Sequence, residues 1–239
     1  MKIFLVTLSV IASLLVLATP SASALAQYGS GSTGVDVSWP NCSQPLPNSS
    51  FRIVGVSDGT GYSTNHCLSQ QVWKNKNNLS YYVNTGWNIL SPNINSLSPL
   101  VCGVGDENCL AYNYGYNAGV YALHTLKQLN LPTDKAWWLD VETSNSWSSS
   151  VSQNQDSIQG EYDALMAGGA SSVGIYSTTV QWQVITGGWK NGWPSWGSTT
   201  WTTASDARTY CTGHQFTGGP SLLMQYLPLK TPGDQDVAC

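Results

Sequence analysis

The stretch AWWLDVETSNSW, residues 136–147, decides how this chain is read. Charged side chains make up 9% of the sequence, yet two carboxylates, Asp140 and Glu142, stand two positions apart in an apolar, aromatic run. Its length, its composition and the polar turn residues that end it predict a β-strand. Successive side chains on a strand alternate faces, so Asp140, Glu142 and Trp138 share one face. Trp137, Leu139 and Val141 take the other. A rise of about 3.3 Å per residue puts the stems of the two acids roughly 6–7 Å apart.

Runs of the same kind lie on both sides of it. Strands are predicted at 34–39, 51–56, 79–84, 135–142, 172–177, 199–204 and 222–227, with an eighth near 213–217. Helical spacing of apolar residues separates several of them, at 109–129 and 154–167, more weakly at 67–76, and briefly at 179–186. Strands alternating with helices predict an α/β fold, a single (β/α)8-type TIM barrel with some helices short or missing. An open doubly wound sheet is the alternative. That architecture carries a glycine-rich loop after its first strand, and DVSWPNC (36–42) is not one.

A parallel barrel places its active site at the C-terminal strand ends. Asp140 and Glu142 end their apolar run there. Asp36 sits in the first strand, and Asp236 lies just after the last predicted one. Closing a barrel brings first and last strands together, so four of the 13 acids converge from three strand ends. Asp58, after the second strand, is a fifth candidate. Paired acids in unlike surroundings hold protons unequally, as glycoside hydrolysis requires. The structural alternative is that the Asp-x-Glu pair caps the next helix or binds a backbone amide.

The first residues read as a secretory leader. Lys2 precedes an apolar run from Ile3 to Ala18, and Ala24-Leu25-Ala26 supplies an A-x-A site. The expected organisation is a signal peptide over 1–26, a linker over 27–33 and a barrel domain over 34–239, hence a secreted protein. A membrane anchor is the alternative, for which the run is short of the roughly 20 residues a span needs. Nine Lys and Arg with no run among them, and a formal charge of −4, argue against nucleic acid or an anionic membrane as partner. A composition rich in Trp, Tyr, Ser and Asn suits an uncharged, hydroxyl-rich ligand, and the chain is expected to be a monomer.

Six cysteines on an exported chain predict three disulfides. Fifteen pairings are allowed; the nearest-neighbour set, Cys42–Cys67, Cys102–Cys109 and Cys211–Cys239, is the expectation. There is no C-x-x-C, and His66, His124 and His214 lie far apart, so neither a metal nor any other cofactor is expected. No G-x-S-x-G supports a serine nucleophile.

In their order along the chain, four elements resemble glycoside hydrolase family 25, the lysozyme-like muramidases. They are GVDVSWP (34–40), WWLDVET (137–143), VGIYST (173–178), and LMQY (223–226) with the later QDVA (235–238). The likeness is nearest to secreted bacterial members of unassigned activity. It implies cleavage of β-1,4 bonds in an N-acetylated glycan such as peptidoglycan. Glu142 would be the general acid, and Asp140 would orient or stabilise the reacting sugar. Asp36 and Asp236 would line the cleft, with Tyr176 and Gln225 as polar contacts. The second and third strands depart from the family, reading VSDGT (56–60) and YYVNT (81–85), without its usual histidine.

Among the aromatics, Trp147, five residues past Glu142, is the first candidate for a sugar platform, followed by Trp39. The tyrosines of YNYGYN (112–117) are read as helix packing. Two further functions stay open: a non-catalytic glycan-binding protein on the same barrel, and a disulfide-stapled structural or antagonist protein.

Overall fold

The computed structural model describes residues 28–45, 47–73, 78–228 and 234–239. The leader expected over 1–26 lies outside the described residues. Eight strands close a barrel in sequence order: β1 Thr33–Val37, β2 Phe51–Gly55, β3 Leu79–Asn84, β4 Ala136–Asp140, β5 Ser172–Ser177, β6 Ser195–Ser198, β7 Ser221–Tyr226 and β8 Asp234–Ala238. The outer helices are α1 Leu68–Trp73, α2 Glu107–Gln128, α3 Val151–Ala167, α4 Thr179–Thr186 and α5 Ala204–Arg208. The α/β barrel is as expected, with α1 and α5 short and only a 3-10 turn (Trp39–Asn41) after β1.

Two strands differ from expectation. The sixth is Ser195–Ser198, not 199–204. Residues 199–203 instead lead into α5, where the Thr203 side chain accepts a hydrogen bond from the Asp206 N–H at its start. The eighth is Asp234–Ala238, not 213–217; the latter segment turns through Gly213 at φ 83° and buries Phe216 on the outer core. Strands β1 to β7 run parallel, whereas β8 pairs antiparallel with both β7 and β1. A parallel crossover needs a dozen or more residues, and residues 227–233 are too few for one. The last strand therefore returns in the opposite direction. That reversal puts the first residue of β8, not its last, at the rim where the other strands end.

Alternation along the strands builds two cores. Outward residues such as Val35, Val54, Tyr81, Trp137, Leu139 and Ile175 pack under the helices. Inward residues Phe51, Ile53, Trp138, Trp196 and Leu223 fill the barrel. Trp138 thus shares a face with Asp140 while Trp137 and Leu139 face the helices, as the strand pattern required. Tyr28, in the segment read as a linker, is buried against this inner core. Its hydroxyl donates to Ser80 Oγ at 2.8 Å and accepts the Trp138 indole N–H at 3.2 Å.

Three disulfides pair Cys42–Cys67, Cys102–Cys109 and Cys211–Cys239, the nearest-neighbour set. The first ties the turn after β1 to α1, and the third holds the end of β8 against the segment after α5. Helices α2 and α3 pack backbone to backbone through Gly115 and Gly160. From this pair Ser157 Oγ donates to the Gly86 carbonyl at 2.7 Å, and Gln153 Oε1 accepts the Trp87 indole N–H at 3.0 Å. The helix pair thereby holds the loop after β3 in place. Among the described residues no helix is long and apolar enough to cross a membrane.

Candidate active site

Asp36, Asp140, Glu142, Tyr176 and Gln225 meet at the C-terminal end of the barrel, around one cavity of about 110 Å³. Tyr82, Trp196 and Asp234 complete its lining. The inward faces of β1, β3, β4, β5, β6, β7 and β8 all contribute. Asp36, Asp140 and Asp234 arrive by the same rule: an inward position at the rim end of a strand, just above the apolar plug of Trp138, Trp196 and Leu223.

A hydrogen-bonded frame fixes the polar groups. Gln225 Nε2 donates to Asp36 Oδ2 at 3.1 Å, while its Oε1 accepts from the Tyr176 hydroxyl at 2.7 Å and from Ser198 Oγ at 3.1 Å. Asn84 Nδ2 donates to Asp140 Oδ2, and Asn84 Oδ1 accepts from Ser57 Oγ at 2.7 Å. The other oxygen of Asp140 is buried with no partner. Glu142 lies past the end of β4, half-exposed, with Gln181 Nε2 donating to its Oε1 at 3.4 Å. Gln181 Oε1 accepts the next backbone N–H, of Thr143, at 2.6 Å.

Burial dominates the electrostatics. Asp36 is 9% exposed, and burial, reinforced by the charge of Asp234, pushes its carboxyl up to about 7. Burial, then the neighbouring Glu142 and Asp36, holds Asp140 well above the usual carboxylate range. Asp234 is raised as well, by burial. Carboxyls crowded into a dry mouth cannot all ionise. The site therefore retains protons near neutral pH, the condition for acid catalysis.

Asp236 is the main correction among the acids. It was expected to line the cleft, yet it is fully buried one layer below it. It lies across from Gly34 and Gln225 in the sheet, whereas Asp234 lies across from Asp36. Neither of its oxygens makes a well-formed hydrogen bond, although Asp36 and the Trp196 indole are its polar neighbours. Burial and the charge of Asp36 hold it well above the usual range. The pattern Asp-x-Asp at 234–236 puts both acids on one face; the antiparallel course of β8 makes the first of them the rim residue. Strand direction was the signal needed to find Asp234.

Three other candidates stand outside the cavity lining. Trp147 packs on the outer core and donates its indole N–H to the Glu142 carbonyl at 2.7 Å, so it pins the loop that carries Glu142. Trp39 is exposed in the 3-10 turn after β1. Asp58 is exposed in the loop after β2. Among the described residues no group of three His, Cys, Asp or Glu is placed to hold a metal ion.

One buried acid lies behind the site. Glu161, on α3, is 1% exposed, and its Oε1 has no partner, with the Thr85 hydroxyl nearby. Burial, and more weakly Asp140, pushes its carboxyl up to about 8, from 4.5 when unfolded. The native state then binds this proton more tightly than the unfolded state does. Its contribution to stability is complete below about pH 4.5 and is lost as pH rises through about 8. Glu161→Gln is expected to flatten this dependence. By denaturant titration it should match wild type at pH 5 and exceed it at pH 9 by on the order of 3–5 kcal/mol. Equal slopes between those pH values would show that Glu161 ionises freely in the native state.

Comparisons with known proteins agree with this fold. Residues 109–207 match the family model described as Lysozyme-like protein 1. A 62-residue stretch, 25% of the chain, is 40% identical to a probable GH family 25 lysozyme 5 of Dictyostelium discoideum, and spans 29% of that protein's length. Among solved structures, the bacterial lysozyme of Streptomyces coelicolor superposes with a TM-score of 0.55 at 16% identity, over 87% of this chain and 92% of that one. The muramidase of Acremonium alcalophilum gives 0.55 at 17% identity, over 87% and 93%. The modular autolysin LytC of Streptococcus pneumoniae gives 0.58 at 13% identity, in a complex with a synthetic peptidoglycan ligand. This chain spans 46% of LytC. The class defined here is an α/β barrel with an acid-lined mouth. The resemblance to family 25 seen in the sequence holds, through partial sequence matches and a shared fold.

Proposed function

We propose that this protein is a secreted glycosidase that cleaves β-1,4 bonds in an N-acetylated glycan, with cell-wall peptidoglycan as its substrate. The observation that carries the proposal is the convergence of Asp36, Asp140, Glu142 and Asp234 on one cavity at the barrel mouth. Glu142, the acid past the strand end and only half-buried, protonates the glycosidic oxygen. Asp140, held by Asn84, faces the reacting sugar and stabilises charge developing on its ring or steers its N-acetyl group. Asp36 and Asp234 keep the mouth rich in protons, and the Gln225–Tyr176–Ser198 frame orients the sugar hydroxyls. The lysozyme-like matches support this substrate class, and three disulfides suit an oxidising, extracellular setting. No cofactor takes part in this scheme.

The test is release of reducing ends from purified cell walls and from chitin oligosaccharides by the intact protein. Soluble fragments from cell walls are the expected result. Glycan retention without any cleavage would replace the proposal with a non-catalytic glycan-binding role, which the altered segments 56–60 and 81–85 favour. Neither binding nor cleavage would remove both.

A further inference from the structure

Glu142 stands past the end of β4, where the backbone that carries it is tied down on both sides. The Val141 N–H donates to the Tyr176 carbonyl at 2.9 Å, and Ser177 Oγ donates to the Val141 carbonyl at 2.7 Å. The Glu142 carbonyl accepts the Asn145 N–H at 3.0 Å and the Trp147 indole N–H at 2.7 Å. These bonds fix the main chain. They do not fix the rotation of the carboxyl itself, and a reacting group held off its line loses rate steeply.

Gln181 of α4 meets that need. Residues 178–181 read T-x-x-Q, the sequence of a capping box, in which the Gln side chain reaches back to the backbone N–H of the cap residue. Thr178 plays its part, accepting the Gln181 N–H on its Oγ1 at 3.2 Å. The Gln181 side chain instead leaves its own helix and crosses to the segment after β4. Its Oε1 accepts the Thr143 N–H at 2.6 Å and the Thr143 hydroxyl at 2.9 Å. A backbone N–H can only donate, so the amide oxygen must face Thr143 and the amide nitrogen must face Glu142. There Nε2 donates to Glu142 Oε1 at 3.4 Å. An N–H donor needs a lone pair opposite it. A protonated Glu142 therefore presents its carbonyl oxygen at Oε1 and carries its proton on Oε2.

We propose that Gln181 is the positioning residue of the general acid: acting through Glu142, it fixes the rotation of the carboxyl and confines the transferable proton to Oε2. The assignment rests on the glycosidase proposal and adds to it a residue from a separate helix. The two bonds to Thr143 orient the amide, and the amide orients the acid.

Two variants test this. Gln181→Glu keeps an acceptor for both Thr143 donors, but it removes the donor to Glu142 and sets a negative charge beside it. Gln181→Met keeps the length of the side chain and removes its polar contacts. For each, kcat and KM on soluble peptidoglycan fragments are measured across the pH range, with thermal unfolding as the check on folding. Both variants are expected to lower kcat by roughly tenfold to a hundredfold with KM little changed. In Gln181→Glu the alkaline limb of kcat is expected to move up by about one pH unit, because a like charge favours the protonated form of Glu142. A residue that only props the loop would not move that limb. Unchanged kcat in both variants, a loss carried by KM alone, or an alkaline limb that stays in place in folded Gln181→Glu overturns the assignment and leaves the glycosidase proposal standing. Failure of the parent protein to cleave any glycan overturns both.

Discussion

With Glu142 replaced by Gln, cleavage of peptidoglycan is expected to fall by roughly 10²–10⁴-fold, the range for loss of a positioned proton donor. The substitution keeps the shape of the side chain and an acceptor for Gln181 Nε2, now 3.4 Å from Glu142 Oε1. It removes only the transferable proton. The loss should fall on kcat, with KM little changed, because an interaction made only in the transition state is missing. Asp140→Asn separates the roles, since it leaves Asn84 a partner but removes the ionisable group beside the sugar. Equal cleavage by wild type and Glu142→Gln on every glycan tried would end the assignment of Glu142.

The largest effect on folding is expected at the crossing of α2 and α3. A Cβ on Gly160 would stand 2.1 Å from the Tyr112 carbonyl oxygen and 2.8 Å from the Tyr116 nitrogen. A Cβ on Gly115 would stand 1.8 Å from the Ser157 carbonyl oxygen. Both obstacles are backbone and cannot rotate away, so a single methyl must push the helices apart. Separation loosens the packing of Leu126, Ile158 and Leu165 in the outer core and the ties from Ser157 and Gln153 to the loop after β3. Gly160→Ala is expected to lower stability by about 3 kcal/mol or more, read from the denaturant midpoint. Gly103→Ala, where nothing lies within 4 Å of the added methyl, should leave the midpoint unchanged. An unshifted midpoint for Gly160→Ala would mean that the helices sit farther apart than described.

The candidate site was legible in proportion to how local its signals were. Asp140 and Glu142 declared themselves because an acid pair in an apolar strand is a local anomaly. Asp36 followed from its place in the first strand, which closure of the barrel brings beside the last. Asp234 did not, because alternation fixes only which face an acid takes, and the choice between Asp234 and Asp236 turns on strand direction. Tyr82 and Trp196 line the site as inward residues of β3 and β6, yet aromatic residues in strands carry no mark that separates floor from wall. Trp147, chosen for its closeness to Glu142 in sequence, spends its indole N–H on the Glu142 carbonyl and its ring on the outer core.

The sixth and eighth strands were misplaced for a related reason. SWGS at 195–198 is short and contains glycine, while TTWTTA at 199–204 has the better strand composition. Only pairing with β5 and β7 selects the former.

By itself the sequence determined the barrel class, the main helices, the disulfide complement and the strand that bears the Asp-x-Glu pair. Each of these depends on periodicity, spacing or composition within a short window. Tertiary structure alone decided the reversed course of β8, the layer in which each buried acid lies, and the contact that Gln181 makes with Glu142 from a separate helix. Those features are made by contacts between segments far apart in the chain, where burial sets the proton affinity of a carboxyl and the neighbouring strand sets its depth.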